Sequence, residues 1–439
     1  MAVHDLKVAN GRLVLPDRVE EADLLIDDGI ITAIVKPALS KSEHASEVID
    51  ASGYLVLPGL VDVHVHFRDP GFPAKEDFAS GSLAAAAGGV TTVIDMPNTN
   101  PPTTTPERLQ DKIDRAARNC LVDFAFHGGP YRTDDIKTSL TAEDEVMVID
   151  MAQQLIERGI VSFKIYMPHQ EAIYLPLLAP LGHLITVHAE EPKLLNTPTD
   201  GSSFAFLASR PPEAEVQAIE QLLANPPVCG FHICHLSTAA GFRRILAAWH
   251  KGIPVTTEVT PHHLLLTVKD LAEIGPIAKC YPPLRSKSDT EALLNACFAD
   301  QIKIIASDHA PHTAAEKTGA DADFASAPAG IIGVETMLPL MYTKLVHDAE
   351  MTISHLIRMM ALNPAVWFGI RNTQWIEKGQ FEVGADADLV LFNHKTQYSI
   401  RGDLLHSKAT LTPYEGWKVR GKICQTILGG QTIFESDLE

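Results

Sequence analysis

VDVHVH, residues 61–66, alternates valines with Asp62, His64 and His66, the pattern of a strand whose successive side chains point to opposite faces. Short β-branched runs recur downstream at TTVIDM (91–96), VDFAFH (122–127), SFKIYM (162–167), LITVHA (184–189), GFHICH (230–235), PVTTEV (254–259) and KIIASD (303–308), making eight in all. Segments of helical character lie between them: SLAAAAGG, PERLQDKIDRAARN, EDEVMVIDMAQQLIERG, EAEVQAIEQLLA, AAGFRRILAAWHKG and SDTEALLNACFA. Eight strands alternating with helices predict an α/β chain, and a parallel (β/α)8 barrel rather than a sandwich or an open sheet.

Outward from this middle the pattern changes. LKVANGRLVL, ADLLIDDGIITAIV and SEVIDASGYLVLPG at the front, and ADLVLF, KVRGKICQTILGG and TIFE at the back, read as antiparallel strands joined by glycine turns. Both ends are expected to build one small β-sandwich domain, from residues 1–56 and 376–439, around a barrel at 57–375; a cap on the barrel is the other arrangement the pattern allows.

With 439 residues, 46% hydrophobic and 21% charged, the chain can bury a large core and a smaller second one. The 36 Lys and Arg against 55 Asp and Glu leave a formal charge of −19, which repels phosphates and anionic membrane surfaces and argues against both as partners. A small anionic substrate would therefore need cationic groups inside the site. The first residues lack a basic segment followed by a long apolar one, and no stretch approaches the roughly 18 apolar residues of a membrane span, so a cytoplasmic protein is expected. Cys120, Cys229, Cys234, Cys280, Cys297 and Cys424 form no CxxC pair and are read as reduced thiols.

Chemistry enters at the end of the first run, in His64-Val65-His66-Phe67-Arg68-Asp69-Pro70-Gly71. A period of two gives His64, His66 and Arg68 one face, where two imidazoles can hold one metal ion; a pair of satisfied strand histidines is the other reading of this short pattern. Lys164, His188, His235 and Asp308 fall on or at the carboxyl ends of later runs, ends that converge on one mouth of such a barrel.

On these residues, and on PGLVDVHVHFRDPG (58–71), KEDFASGSLAAAAGGVTTVIDMPNTNPPT (75–103), VHAEE (187–191), HICHLSTAAG (232–241), EVTPHHLLLT (258–267), PPLR (282–285), SDHAPHTAAEK (307–317) and GVETMLPL (333–340), the chain resembles the amidohydrolase superfamily and, within it, the dihydroorotases. The resemblance implies two zinc ions, one held by His64, His66 and Asp308 and the other by His188 and His235. Lys164 would bridge them as an N-carboxylated lysine, since an ammonium cannot bind a cation. It further implies that a hydroxide shared by the ions attacks the ring amide of dihydroorotate, while Asp308 takes up a proton and returns it to the leaving nitrogen. The reaction would be the reversible interconversion of dihydroorotate and N-carbamoyl-aspartate in pyrimidine biosynthesis. Arg68, Asn98 and His312 would clamp the substrate carboxylate, and the enzyme would be a homodimer. Hydantoinases and allantoinases resemble the chain in the metal cluster but generally lack the Arg and the final His, and inactive scaffold relatives typically lose metal ligands.

Other positions carry less. Ala327 to Gly333 would offer backbone groups to the ring, and Tyr281 departs from the Asn many relatives have before this Pro-Pro. His262 and His263, read as neighbours on a strand, would point to opposite faces and serve structure; His232 is out of phase with His235 and expected in the core behind it. The glycines at 88 and 89 read as a helix end.

Overall fold

The computed structural model describes residues 3–130, 139–228, 230–320 and 322–436. Five strands open the chain: β1 (Val3–Val14), β2 (Val19–Asp27), β3 (Ile30–Val35), β4 (His44–Asp50) and β5 (Leu55–Pro58). Eight then alternate with helices: β6 (Leu60–Val65), β7 (Val90–Asp95), β8 (Asp123–Gly128), β9 (Ser162–Tyr166), β10 (Ile185–His188), β11 (Phe231–Ile233), β12 (Val255–Val259) and β13 (Ile304–Ile305). Three close the chain: β14 (Leu389–Ser399), β15 (Lys418–Leu428) and β16 (Gln431–Glu435).

The middle eight pair in parallel in chain order from β6 to β13, and a parallel bridge from Val65 to His309 joins the last to the first. This is the (β/α)8 barrel, with each of its strands falling on one of the eight predicted runs to within one residue. Side-chain alternation sorts its contents. Phe163 and Ile165 on β9 pack into the main apolar cluster with Ala152 and Leu155 of the helix Ala142–Glu157. On the other face of β9, Ser162 bonds His127 and Thr186 at 2.7 and 2.8 Å, and His232 bonds Thr256 at 2.8 Å, so the barrel holds a hydrogen-bonded polar belt. Phe368, from the helix Leu362–Phe368, packs edge-on against His127 and His232.

Helix starts follow capping chemistry. Thr105, Thr238 and Ser286 each accept a backbone N–H of the helix they precede, which satisfies donors that have no partner within the helix. Gly88 and Gly89 end the helix Phe78–Ala87.

The terminal strands form a separate mixed sheet in the order β16-β15-β14-β5-β1-β2-β3, with β4 added on β1. β5 lies between β1, to which it is parallel, and β14, to which it is antiparallel, and so joins the two ends of the chain. Leu6, Val8, Leu24, Ile31, Leu389 and Ile427 belong to this sheet's own apolar cluster. Gly59 links β5 to β6, and a Cβ there would stand 2.1 Å from Thr91 Oγ1 on the next barrel strand. Across the boundary, Lys378 Nζ pairs with Asp123 of the barrel at 2.6 Å and with Asp386 and Asp388, just before β14, at 2.8 and 2.7 Å. No described helix is long and apolar enough to cross a membrane.

Candidate metal and substrate site

One cavity of about 670 Å3 opens at the carboxyl ends of the barrel strands, lined by His64, His66, Lys164, His188, His235 and Asp308 together with Arg68, Asn98 and His312. The strands bring these side chains in at different depths. Lys164 sits within β9 and His188 ends β10, whereas His235 and Asp308 lie past the ends of β11 and β13.

His64 Nε2 and His66 Nε2 each stand 3.2 Å from Asp308 Oδ1, so two imidazoles and a carboxylate converge on one point. The outer nitrogens are taken: His64 Nδ1 bonds the buried Glu258, and His66 Nδ1 donates to Asn98 Oδ1 at 2.7 Å. A second convergence lies beside the first, where His188 Nδ1 and His235 Nε2 are 3.0 Å apart. His188 Nε2 donates to Glu190 Oε2 at 2.6 Å, which leaves the Nδ1 lone pair facing His235. Nitrogen and oxygen donors with outer atoms oriented by carboxylates or amides are the set that holds zinc and similar divalent ions.

Protonation states suit such a role at three of the four imidazoles, His64 being the exception. Burial pushes His66 and His188 down to about 4 and His235 well below its usual range, with Lys164 adding to the last effect, so all three stay neutral near pH 7. Burial works against the Asp308 carboxylate, but His64 and His66 outweigh it and hold it below the usual range. His64 is also disfavoured as a cation by burial, yet Glu258 and Asp308 push it up to about 10. Lys164 is buried, its Nζ is 2.7 Å from Cys234 Sγ, and no described carboxylate pairs with it. A buried lysine with no counter-charge is rare.

The anion-binding side differs from the strand reading. β6 ends at Val65, and Arg68 leaves the strand direction with φ at +63°, so it reaches the cavity from a turn and not from a shared strand face. Its Nε donates to Pro311 O at 3.3 Å, and Nη2 lies 3.2 Å from His312 Nε2. His312 Nδ1 accepts from Lys75 Nζ at 3.1 Å, which puts its own proton on Nε2, facing Ala329 O at 3.0 Å. Burial, then Arg68 and Lys75, push His312 down to about 3, so it is a neutral donor among cations. Asn98, having used its oxygen on His66, keeps its amide N–H groups for the cavity. Lys112, fully buried, ties the base of both arms: Nζ reaches Asp95 at 2.5 Å and Met96 O at 2.7 Å, while Asp95 accepts from Phe67 N at 2.7 Å.

His262 and His263 lie in a short helix, Pro261–Leu265, immediately after β12, so the opposite-faces argument does not apply to them. Their rings are 4.5 Å apart and neither lines the cavity; His263 bonds Thr260 and Pro282 O. His232 sits behind His235, bonding Glu258 Oε2 at 3.0 Å. Glu258 itself escaped the sequence reading, although an acidic residue inside the β-branched run PVTTEV was the available signal. Glu190, two residues after His188, carried the same period-two signal. Arg210, which pairs with Glu190, had none.

The Amidohydrolase family model matches residues 55–433. The chain is 38% identical to the dihydroorotase of Methanosarcina acetivorans over 94% of its own length and 88% of that protein's. It is 36% identical to the allantoinase of Rubrobacter xylanophilus, over 99% of this chain and 95% of that one. Among solved structures, L-hydantoinase from Arthrobacter aurescens superposes with a TM-score of 0.89 at 31% identity, covering 99% of this chain and 96% of that chain. A metal-type donor cluster at the mouth of a (β/α)8 barrel, and a family match over most of its length, establish that this chain belongs to the amidohydrolase family.

Proposed function

We propose that this cyclic amidohydrolase is a dihydroorotase, opening dihydroorotate to N-carbamoyl-aspartate and closing it again. The observation that carries the reading is Arg68, a buried guanidinium at the cavity with no carboxylate paired to it among the described residues. A buried cation in that state is stabilised by an anion brought in by the ligand, and a planar guanidinium matches a carboxylate with two parallel hydrogen bonds. Dihydroorotate carries one carboxylate on its ring. Hydantoin and allantoin carry none.

The donor set fits two divalent ions, zinc in this reading, with Lys164 N-carboxylated between them. When bound, such ions lower the pKa of a water and polarise the ring carbonyl. The chain's own groups do the rest. Arg68 and the Asn98 amide hold and orient the carboxylate, with His312 beside Arg68 as the third member of the clamp. Asp308, held ionised, takes a proton from the attacking water and passes it to the ring nitrogen as the C–N bond breaks. Opening the ring creates a second carboxylate and releases a proton, so higher pH favours hydrolysis and lower pH cyclisation.

Side-by-side assays of the zinc-loaded protein with dihydroorotate, hydantoin and allantoin test the reading, with turnover of dihydroorotate expected. The relatives named for allantoin and hydantoin make those the substrates to compare. Turnover of either without dihydroorotate would overturn the substrate, and metal-loaded protein inert to all three would mean a scaffold.

A further inference from the structure

We propose that Arg210 is a positioning residue for the second metal position, acting through Glu190 to hold His188 in one tautomer and one orientation. The inference rests on the reading of His188 and His235 as metal ligands and goes beyond it to a residue outside the cavity lining. Glu190 is fully buried and bonds His188 Nε2, so it dictates that Nε2 carries the proton and that Nδ1 faces His235 Nε2. Arg210 fixes Glu190 in turn by a two-pronged pair, its Nε 3.2 Å from Oε1 and its Nη2 on Oε2, which sets where the carboxylate stands against His188.

Arg210 is itself fixed on several sides. Its guanidinium lies 3.7 Å from the centre of the Tyr281 ring. Arg285 of the PPLR run donates to its backbone oxygen at 2.8 Å. Tyr166 packs its ring 4.4 Å from that of His188. Tyr166 and Tyr281 line the cavity while Arg210 does not, so the tyrosines wall the cation off from substrate and leave it to Glu190. A lysine keeps the charge but not the fork, which separates geometry from simple neutralisation.

The test measures zinc held by wild type, Arg210→Met, Arg210→Lys and Glu190→Gln after dialysis against graded chelator, beside the melting temperature of each metal-free protein. Wild type is expected to hold two ions. Arg210→Met should hold one as tightly as wild type and the other about 10–100-fold more weakly, with Arg210→Lys in between. kcat should fall with the weakened ion, and KM for dihydroorotate should stay near wild type because Arg68 is untouched. If the methionine variant does not fold, Arg210→Lys and Glu190→Gln, which keep the volume, decide the matter. Two ions held with wild-type affinity in the variants, or both weakened equally, would overturn the inference while leaving the metal reading intact. Wild type that holds no second ion would overturn both.

Discussion

Arg68, His235 and Asp308 all have φ between 32° and 63°, a left-handed conformation that side-chain-bearing residues seldom adopt and that costs on the order of 1–3 kcal/mol each. All three stand just past the end of a barrel strand, where the chain must turn while still aiming a side chain inward. Straight continuation of the strand would send Arg68 along the barrel wall; the turn lets it reach His312 instead. Replacement by methionine keeps the stem and removes the fork. Arg68→Met is expected to lower kcat/KM for dihydroorotate by about 100-fold or more, at two hydrogen bonds to a charged group, and to leave the zinc content unchanged. Steady-state kinetics beside metal analysis check this; zinc lost from the variant would contradict the assigned role.

At the scale of an element, the stretch from Phe324 to Gly330 beside the clamp is tied down by the buried Lys279, whose own stretch from Pro276 is held by the buried Lys317. Lys279 Nζ donates to Phe324 O at 2.7 Å and Ala327 O at 2.5 Å, and Lys317 Nζ donates to Pro276 O at 3.0 Å and Lys279 O at 3.3 Å. Gly330, at the end of the segment, has φ at +150°, and a Cβ there would stand 2.3 Å from Ala310 O and 2.9 Å from the His312 ring. Burial pushes Lys317 down from 10.5 to about 7. Below pH 7 this lysine is charged in both folded and unfolded chains. Between pH 7 and 10.5 the unfolded chain still binds a proton that the folded chain has released, so stability rises with pH across that window. The contribution is up to about 1.4 kcal/mol per pH unit. Denaturant unfolding of wild type and Lys317→Met at pH 6.5, 7.5 and 8.5, round values chosen to be roughly centred on the transition, should show wild type gaining on the variant as pH rises. A gap that stays constant would contradict the shift.

Across the whole molecule, the terminal sheet keeps one apolar cluster of its own, while Leu57, Val390, Phe392, Val419 and Ile423 on it belong to the same cluster as the barrel core, and charged contacts at the boundary add to that packing. Lys378 makes one such contact, in which one nearly buried ammonium serves carboxylates from both sides. Asp123, Asp386 and Asp388 lie close enough to hold a metal ion, but the ammonium already occupies their centre. Burial works against the charge, yet Asp388 and Asp123 raise the Lys378 pKa above its usual value. Lys378→Met leaves three acids facing one another and is expected to cost about 3 kcal/mol, at the low end for a broken buried pair because Asp123 is half exposed. Calorimetry should show the loss, while kcat/KM for dihydroorotate stays within about twofold, since the cavity lies at the other end of β8. Unchanged melting would mean the three carboxylates find other partners.

The amino-acid sequence alone determined the barrel. Alternation with period two and capped helices are local properties, and each of the eight runs became a strand because nearest-neighbour patterning suffices to say which residues face a core. The HxH pair, Lys164, His188, His235 and Asp308 were legible for the same reason: each marks a strand or its end, and the closed barrel brings such ends together. What the tertiary structure decided is what stands behind and beside them. Glu258 reaches His64 across 194 positions, and Arg210 reaches Glu190 from a loop with no periodic signal. The left-handed turn of Arg68 and the short helix holding His262 and His263 were likewise decided by what packs around them, because a strand's end is set by where its partner's hydrogen bonds run out, and that partner is distant in the chain.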